Sequence, residues 1–561
     1  MKKSVSLLLV LLLAIGLFGC GQTPEVPQDS ENIQTEQTYP DIEETTLLGD
    51  LLFQETEAEA AFLTEAIRNH PDEIVVTGIS YYVSNDGNDH NNGRSPETAW
   101  ATLKKVSSAN LRPGDGVFFN RGDIFRGNLD CKPGVTYAAY GDGDKPLLTT
   151  SIEDGADPDH WEFYANTEDG GTIWVYHRDM PDCGGIFFNH GERTGIKLYP
   201  YWNGTAFTTA EGEPFDFLKE MTTDLHFFTP AESKLRNKLP LSLAFDRTLD
   251  GSTGKLYLRC DAGNPGELFD SIEFGTSIHA GSAIVNVRQE CVVDNLCIRY
   301  GGDCGFFTEF PRDYTGKGAV VQYCDVGYVG GNVWQYHTDG EPQPAGDCFA
   351  TNAGFTVDHC YIHNAAYSNG ITIEARLDGD GFPIENMIIR SNVFSYNTGG
   401  IQMIYFSDMR AEGAIFRNFL IEDNYIIHTG KNWAFPQLCS LYPVDPDVPF
   451  ILHGQGIRIG DLNDPNDPNS RMLAENIVIR SNVFHSDYIC NVWGAVFDSD
   501  AVWFENNTIF TKEGIPAAIW STRMGKLFGW YYQVPTEPHH MAANYLFNQH
   551  MGSGNTILSI S

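Results

Sequence analysis

Ser391-Asn392-Val393-Phe394, Asp423-Asn424-Tyr425-Ile426, Ser481-Asn482-Val483-Phe484 and Asn506-Asn507-Thr508-Ile509 repeat one phrase: a polar residue, an asparagine, then the start of an apolar alternation. Looser copies stand upstream at Asp294-Asn295-Leu296-Cys297-Ile298, Tyr323-Cys324-Asp325-Val326 and His359-Cys360-Tyr361-Ile362. Most copies follow an alternating run such as Met387-Ile388-Ile389-Arg390 or Ile477-Val478-Ile479-Arg480. Most lead on to a glycine and a second run: Gly370-Ile371-Thr372-Ile373-Glu374, Gly400-Ile401-Gln402-Met403-Ile404, Gly456-Ile457-Arg458-Ile459-Gly460 and Gly494-Ala495-Val496-Phe497-Asp498. Strand, polar turn, strand, glycine turn, strand, recurring every 25 to 60 residues or so, is the signature of a solenoid. One winding cannot bury its apolar side chains alone, whereas stacked windings share a core. Asparagine suits the fixed turn because it tolerates left-handed backbone and its amide can bond neighbouring peptide groups, forming a ladder along the axis.

The pattern resembles the right-handed parallel β-helix of the pectate-lyase-like superfamily, with Cys324 and Cys360 replacing two ladder asparagines and implying a partly apolar turn stack. A second stretch is similar to the opening coil of exported β-helix proteins that act on carbohydrates. It runs Tyr81-Tyr82-Val83-Ser84-Asn85-Asp86-Gly87-Asn88-Asp89 and on to Pro113-Gly114-Asp115-Gly116-Val117-Phe118-Phe119. That resemblance implies a strand, a polar turn, a short helix capping the open end of the stack, and a Pro-Gly-Asp turn into the next strand. A cap is needed because a bare solenoid end exposes apolar core and unpaired strand edges.

The remaining chain divides around this core. Met1-Lys2-Lys3 and the apolar run from Val5 to Phe18 read as a secretory signal, too short to span a bilayer. Leu17-Phe18-Gly19-Cys20 resembles a bacterial lipobox, implying cleavage before Cys20, acylation of its thiol, and attachment to the cell membrane facing outward. Residues 1–20 are thus the lipoprotein signal. Residues 21–75 are an acidic tether ending in a short helix over Leu47 to Asn69, and 76–150 are the cap and first coils. Residues 151–271, rich in aromatic strands such as Thr172-Ile173-Trp174-Val175-Tyr176, form an inserted antiparallel β module serving as substrate wall or as brace. Residues 272–510 are the main β-helix and 511–561 a C-terminal cap, where the repeat fades after Lys512. The expected fold class is therefore all-β.

A formal net charge of −38, from 36 basic and 74 acidic residues, argues against nucleic-acid partners and broad polyanion grooves. The 12 cysteines, with Cys20 assigned to lipid, leave an odd number without zinc-finger spacing. They read as core thiols with at most one or two disulfides. The expected partners are an oligo- or polysaccharide and the membrane, and the chain is expected to be a monomer.

Alternation places the chemistry. With Ile371, Ile373, Ile401, Met403, Ile457, Ile459, Ala495 and Phe497 inward, the outward set holds Thr372, Glu374, Gln402, Arg458, Val496 and Asp498. Phe307 and Glu309 join from an earlier run. In Gly346-Asp347-Cys348-Phe349-Ala350-Thr351, Cys348 and Ala350 inward leave Asp347, Phe349 and Thr351 outward. Glu374 and Asp461, two coils apart at nearly one height, have backbones about 10 Å apart, and they fit the wider carboxyl spacing of inverting glycosidases. Glu374, Asp461 and Asp347 are the expected catalytic carboxyls. Gln402, Arg458, Tyr405, Trp334, His337 and Asp498 are the expected substrate contacts, several on long aromatic loops. Calcium is a possible cofactor, at the Asp86/Asp89 turn or the acidic stretch Asp461 to Asn469, although neither has a strict calcium-loop pattern.

Three functions fit: a glycoside hydrolase with paired carboxylates, a polysaccharide lyase on a uronate-containing glycan, or a non-catalytic glycan-binding surface protein. Lysine is scarce between Val287 and Phe510, with only Lys317 and Lys431. That scarcity and the outward acids favour hydrolysis over the base-dependent lyase reaction.

Overall fold

The asparagines of the repeated phrase stack into one column inside a turn. Each backbone amide and side-chain amide reaches for the next asparagine's Oδ1: Asn392 to Asn424 at 3.0 and 2.9 Å, and Asn424 to Asn482 at 3.1 and 2.8 Å. The line continues through Asn507 to Asn555. Each Nδ2 also donates to a peptide oxygen of the preceding coil, as Asn424 does to Ile389 at 2.9 Å. The residue before each rung turns the chain with positive φ, from 53° to 56° at Ser391, Asp423, Ser481 and Asn506. Short polar side chains accept that conformation at little cost.

The structure is a computed structural model that describes residues 42–203, 206–229, 254–277, 283–308, 310, 314, 316–336, 340–375, 384–405, 415–430, 432–434, 455–459, 473–487, 490–497, 502–512, 517–522 and 553–561. Asp41–Ser561 forms one compact unit. Three long sheets hold 11, 13 and 9 strands among the described residues, and the chain visits them in turn. Between successive described coils the pairings are parallel, with register shifts only after Ile426 and after Gly494. Val321, Val357, Ile389, Ile421, Ile479 and Phe504 line the first sheet's inner face. Ile298, Val326, Ile362, Phe394, Ile426, Phe484 and Ile509 line the second. Phe306, Phe349, Ile371, Ile401, Ile457 and Val492 line the third. These residues form one continuous core. The fold is a parallel β-helix.

Toward the N-terminus the ladder becomes apolar. Cys360, Cys324 and Leu296 occupy the rungs, all buried. The thiols imitate asparagine weakly: Cys360 Sγ lies 3.6 Å from the Val321 oxygen of the preceding coil, and Cys324 Sγ 3.9 Å from that of Val293. All the described cysteines whose side chains are placed are free.

Helix α1, Ile42–Arg68, is longer than its sequence signal. Its 27 residues reach ~40 Å and lie along the second sheet's outer face. Phe53, Ala60 and Ile67 pack on Val393, Ile427, Phe510 and Ile560. Asp50 accepts the Ser561 amide at one end, and Arg68 meets Asp325 at 2.9 Å toward the other. Helix α2, Leu103–Ser108, capped by Thr102, puts Leu103 and Val106 into the end of the core, as a capping helix must. In the Pro-Gly-Asp turn the Asp115 carboxylate accepts the amides of Ile79 and Arg112 at 2.9 Å each.

The inserted module leaves after Leu147–Thr149 and returns at Ile272–Thr276, both in the second sheet. Reciprocal hydroxyl-to-carbonyl bonds of 2.6 Å between Thr150 and Thr276 close its neck. Its five-stranded sheet is antiparallel except where Ile196–Lys197 meets His226–Phe228 in parallel. It has its own core around Trp161, Tyr176, Ile186, Phe227 and Phe274. The winding also outlasts its sequence signal: beyond Lys512, Ala518–Thr522 extends the third sheet and Thr556–Ser559 the second, with Asn555 adding a last rung.

Candidate functional site on the third sheet

The outer face of the third sheet carries a column in strict register: Phe307, Ala350, Thr372, Gln402, Arg458 and the backbone position of Trp493. Glu374 stands two residues beyond Thr372 on the same strand, Asn369–Ala375, opposite Ile404. Thr372, Gln402 and Arg458 are buried, and Glu374 is half-buried.

Two sequence expectations are corrected here. Phe349 points inward beside Ile371 and packs in the main core, and Thr351 stands level with inward Ile373, while Ala350 faces out beside Thr372. Strict alternation fails because the bend entering the third sheet turns two successive residues inward. Cys348 and Phe349 are both in the core, and a Cβ on Gly370 would lie 2.7 Å from the Phe394 ring. Asn491, not Gly494, occupies the place of Gly456, since Arg458 pairs with Trp493 and Ile459 with Gly494. The run counted from Gly494 therefore starts late, and Val496 does not stand beside Arg458.

At the head of the column Asp347 is almost wholly enclosed. Its Oδ1 accepts the Thr372 hydroxyl at 2.6 Å and the Asn369 amide at 3.0 Å, and Ser368 adds a further hydrogen bond. The Asn369 side chain donates to Thr372 Oγ1 at 3.0 Å and to Gln402 Oε1, linking Asp347 to the next coil. Burial pushes the Asp347 carboxyl up to about 7; the Ser368, Thr372 and Asn369 donors pull against that, and the charge of Glu374 adds to the rise. A carboxyl in this state holds its proton near neutrality and can release it, which is the requirement for a general acid. Along the strand, Thr372 and Glu374 are about 7 Å apart, so the two carboxyl groups share one patch.

The inserted module holds the approach to Asp347. The strands Asn332–Tyr336 and Pro342–Ala345 form a hairpin that ends just before it. Lys197 Nζ and Tyr199 Oη both donate to the Gly331 oxygen, at 3.2 and 2.7 Å. Asp182 accepts the Val333 amide at 3.0 Å and is paired with Lys197 at 2.7 Å. These bonds tie the module to the segment that leads to Asp347. Asn369, Ser368 and Lys197 were not singled out by sequence reasoning; Ser368-Asn369-Gly370 reads as an ordinary turn, and Lys197 lies far off in the chain.

Trp334 and Tyr405 are strand positions whose side chains lie outside the described residues. Glu309, His337, Asp461, Asp498, Cys20 and the acidic stretch after Asp461 also fall outside them. The Asp89 carboxylate is engaged by the protein itself, accepting the Ala101 and Thr102 amides and the Thr102 hydroxyl at 2.8, 3.1 and 2.7 Å.

No known family profile and no curated protein matches the sequence. Among solved structures the chain is similar to a GH136 lacto-N-biosidase from Eubacterium ramulus, with 14% identity, coverage of 79% of this chain and 67% of that one, and a TM-score of 0.36. It is also similar to pectate lyase Pel9A, at 11% identity, 78% and 70% coverage and a TM-score of 0.37. A structure described as a glycoside hydrolase gives 10% identity, 86% and 97% coverage and a TM-score of 0.39. The fold itself rests on the strand register above.

Proposed function

We propose that this chain is a carbohydrate-active enzyme, a glycoside hydrolase in which Asp347 is the proton donor and Glu374 the carboxylate that activates water. The observation that carries this reading is the pairing of an enclosed, hydrogen-bonded Asp347 with a half-buried Glu374 on the neighbouring coil of the same sheet. In the reaction, Asp347 protonates the glycosidic oxygen as its bond to the anomeric carbon breaks. Glu374 takes a proton from the water that attacks the same carbon. The two carboxyls are near enough for their charges to interact, and a separation that leaves room for that water would make the reaction inverting. Thr372 and Asn369 hold the acid in place. Gln402 and Arg458, next in the column, form the floor on which the sugar hydroxyls rest.

The test is a screen of plant and host glycans with the purified soluble form, comparing wild type, Glu374→Gln and Asp347→Asn. New reducing ends without an unsaturated, ultraviolet-absorbing uronate, lost in both variants, support hydrolysis. The unsaturated product would establish a lyase instead, and binding without turnover a glycan-binding protein. The same proposal includes export and lipid attachment through Cys20, on the strength of Leu17-Phe18-Gly19-Cys20. Cys20→Ala is expected to move the protein from the detergent phase to the aqueous phase.

A further inference from the structure

Away from the third sheet, where the inserted module leaves the solenoid, three side chains converge. Glu153 follows the neck. His160 ends the turn Pro158–His160, and His177 follows the strand Thr172–Tyr176. One ligand atom from each lies within 4.8 Å of the others. The placement is fixed by backbone: the His177 amide donates to the His160 oxygen at 2.8 Å, which sets the two rings 4.2 Å apart between centroids. Glu153 Oε1 is 3.0 Å from His177 Nε2 and accepts the Tyr176 hydroxyl at 2.7 Å, so its direction is held too. The Nδ1 atom of His160 is buried and meets no hydrogen-bond partner.

We propose that Glu153, His160 and His177 form a binding site for Zn²⁺. Two imidazoles and a carboxylate are a donor set that zinc accepts, at bond lengths of about 2.0–2.2 Å. Tetrahedral closure at those lengths brings ligand atoms to ~3.4 Å from one another, a change that side-chain rotation supplies here. Water completes the coordination. All three ligands are partly open to solvent, so the ion can enter. Its place at the neck gives it a role: it ties the segment leaving the solenoid to the first hairpin of the module that braces the Asp347 approach.

Arg178 opposes the ion. Its Nε lies 3.0 Å from Glu153 Oε1, and it must swing away, which its exposure allows. The site is therefore one of moderate affinity. A second group, His428, His485 and Asp487, has comparable spacing, but Asp487 and His428 are already engaged. Lys512 Nζ sits 2.8 Å from Asp487 Oδ1, and Glu57 lies 2.9 Å from His428 Nε2.

The experiment is a calorimetric titration of Zn²⁺ into the tag-free, chelator-stripped soluble chain, with circular dichroism to verify folding. One Zn²⁺ per chain is expected, with micromolar dissociation. His160→Ala and His177→Ala should each weaken it by about a hundredfold or more, and Glu153→Gln by about tenfold. Arg178→Ala should tighten it severalfold, a change that a purely structural ion cluster would not give. His428→Ala should leave the binding intact. Absence of binding below millimolar Zn²⁺, or binding that survives His160→Ala and His177→Ala or disappears with His428→Ala, would overturn the proposal.

Discussion

Two columns run along the solenoid, built on opposite plans. In the turn between the first and second sheets the same residue recurs, from Asn392 through Asn424, Asn482 and Asn507 to Asn555, each satisfied by the next and by the backbone of the previous coil. On the outer face of the third sheet every coil differs: Phe307, Ala350, Thr372, Gln402, Arg458. The first column closes on itself and leaves nothing over for a ligand. The second ends on a carboxyl that burial keeps protonated near neutrality, next to a second carboxyl.

Substitutions separate the two. Asp347→Asn and Glu374→Gln should each lower turnover by about 10²–10⁴-fold, the usual weight of a positioned acid or base, while leaving the fold intact. Asn424→Ala should do the reverse. It removes bonds to Ile389 and Asn482 and orphans the buried amide of Asn392, costing about 3 kcal/mol as a shift of the urea midpoint. Its folded fraction should turn over normally.

The pH dependence sharpens the contrast. Asp347 titrates higher in the folded chain than in the unfolded one. Between about pH 4 and 7 the folded state therefore binds more protons, and stability falls as pH rises through that window. Asp347→Asn should flatten this part of a melting-temperature profile, and wild-type activity should decline above about pH 7 as the acid is lost. The asparagine ladder carries no charge and contributes no such slope. The smallest effect belongs to the thiol rungs. Cys324→Asn with Cys360→Asn extends the ladder by two rungs and should change stability by under about 1 kcal/mol, since each gained hydrogen bond is offset by lost apolar burial.

The ladder was legible in the sequence because one residue type at one place needs only local reading, and Cys324 and Cys360 stood out as its exceptions. In the first copy the register was misread, since Leu296 takes the rung and Asn295 the turn before it, bonding His70 and Asp72 instead. The third sheet was legible in part. Glu374, Thr372, Gln402 and Arg458 fall on the expected face because three successive glycines, Gly370, Gly400 and Gly456, open their strands at equivalent places. Phe349 and Ala350 exchanged faces because the bend turns both Cys348 and Phe349 inward, a feature of stacking that alternation cannot carry. Asn491 broke the glycine count in the next coil. Asp347 was visible as an acid, but its protonation depends on Ser368, Asn369 and Thr372 one coil later, and its approach depends on Lys197 and Tyr199 of the inserted module. Those contacts exist only once the windings are in place. The length of α1 was under-read because its polar outer turns carry no periodic apolar signal, while Phe53, Ala60 and Ile67 suffice to seat it.

The most direct test of the division between the columns is turnover per folded molecule for Asp347→Asn beside Asn424→Ala. An Asp347 variant that folds as well as wild type and fails to cleave, beside an Asn424 variant that unfolds early and cleaves normally while folded, is the expected result. An Asp347→Asn protein with undiminished turnover would contradict the account.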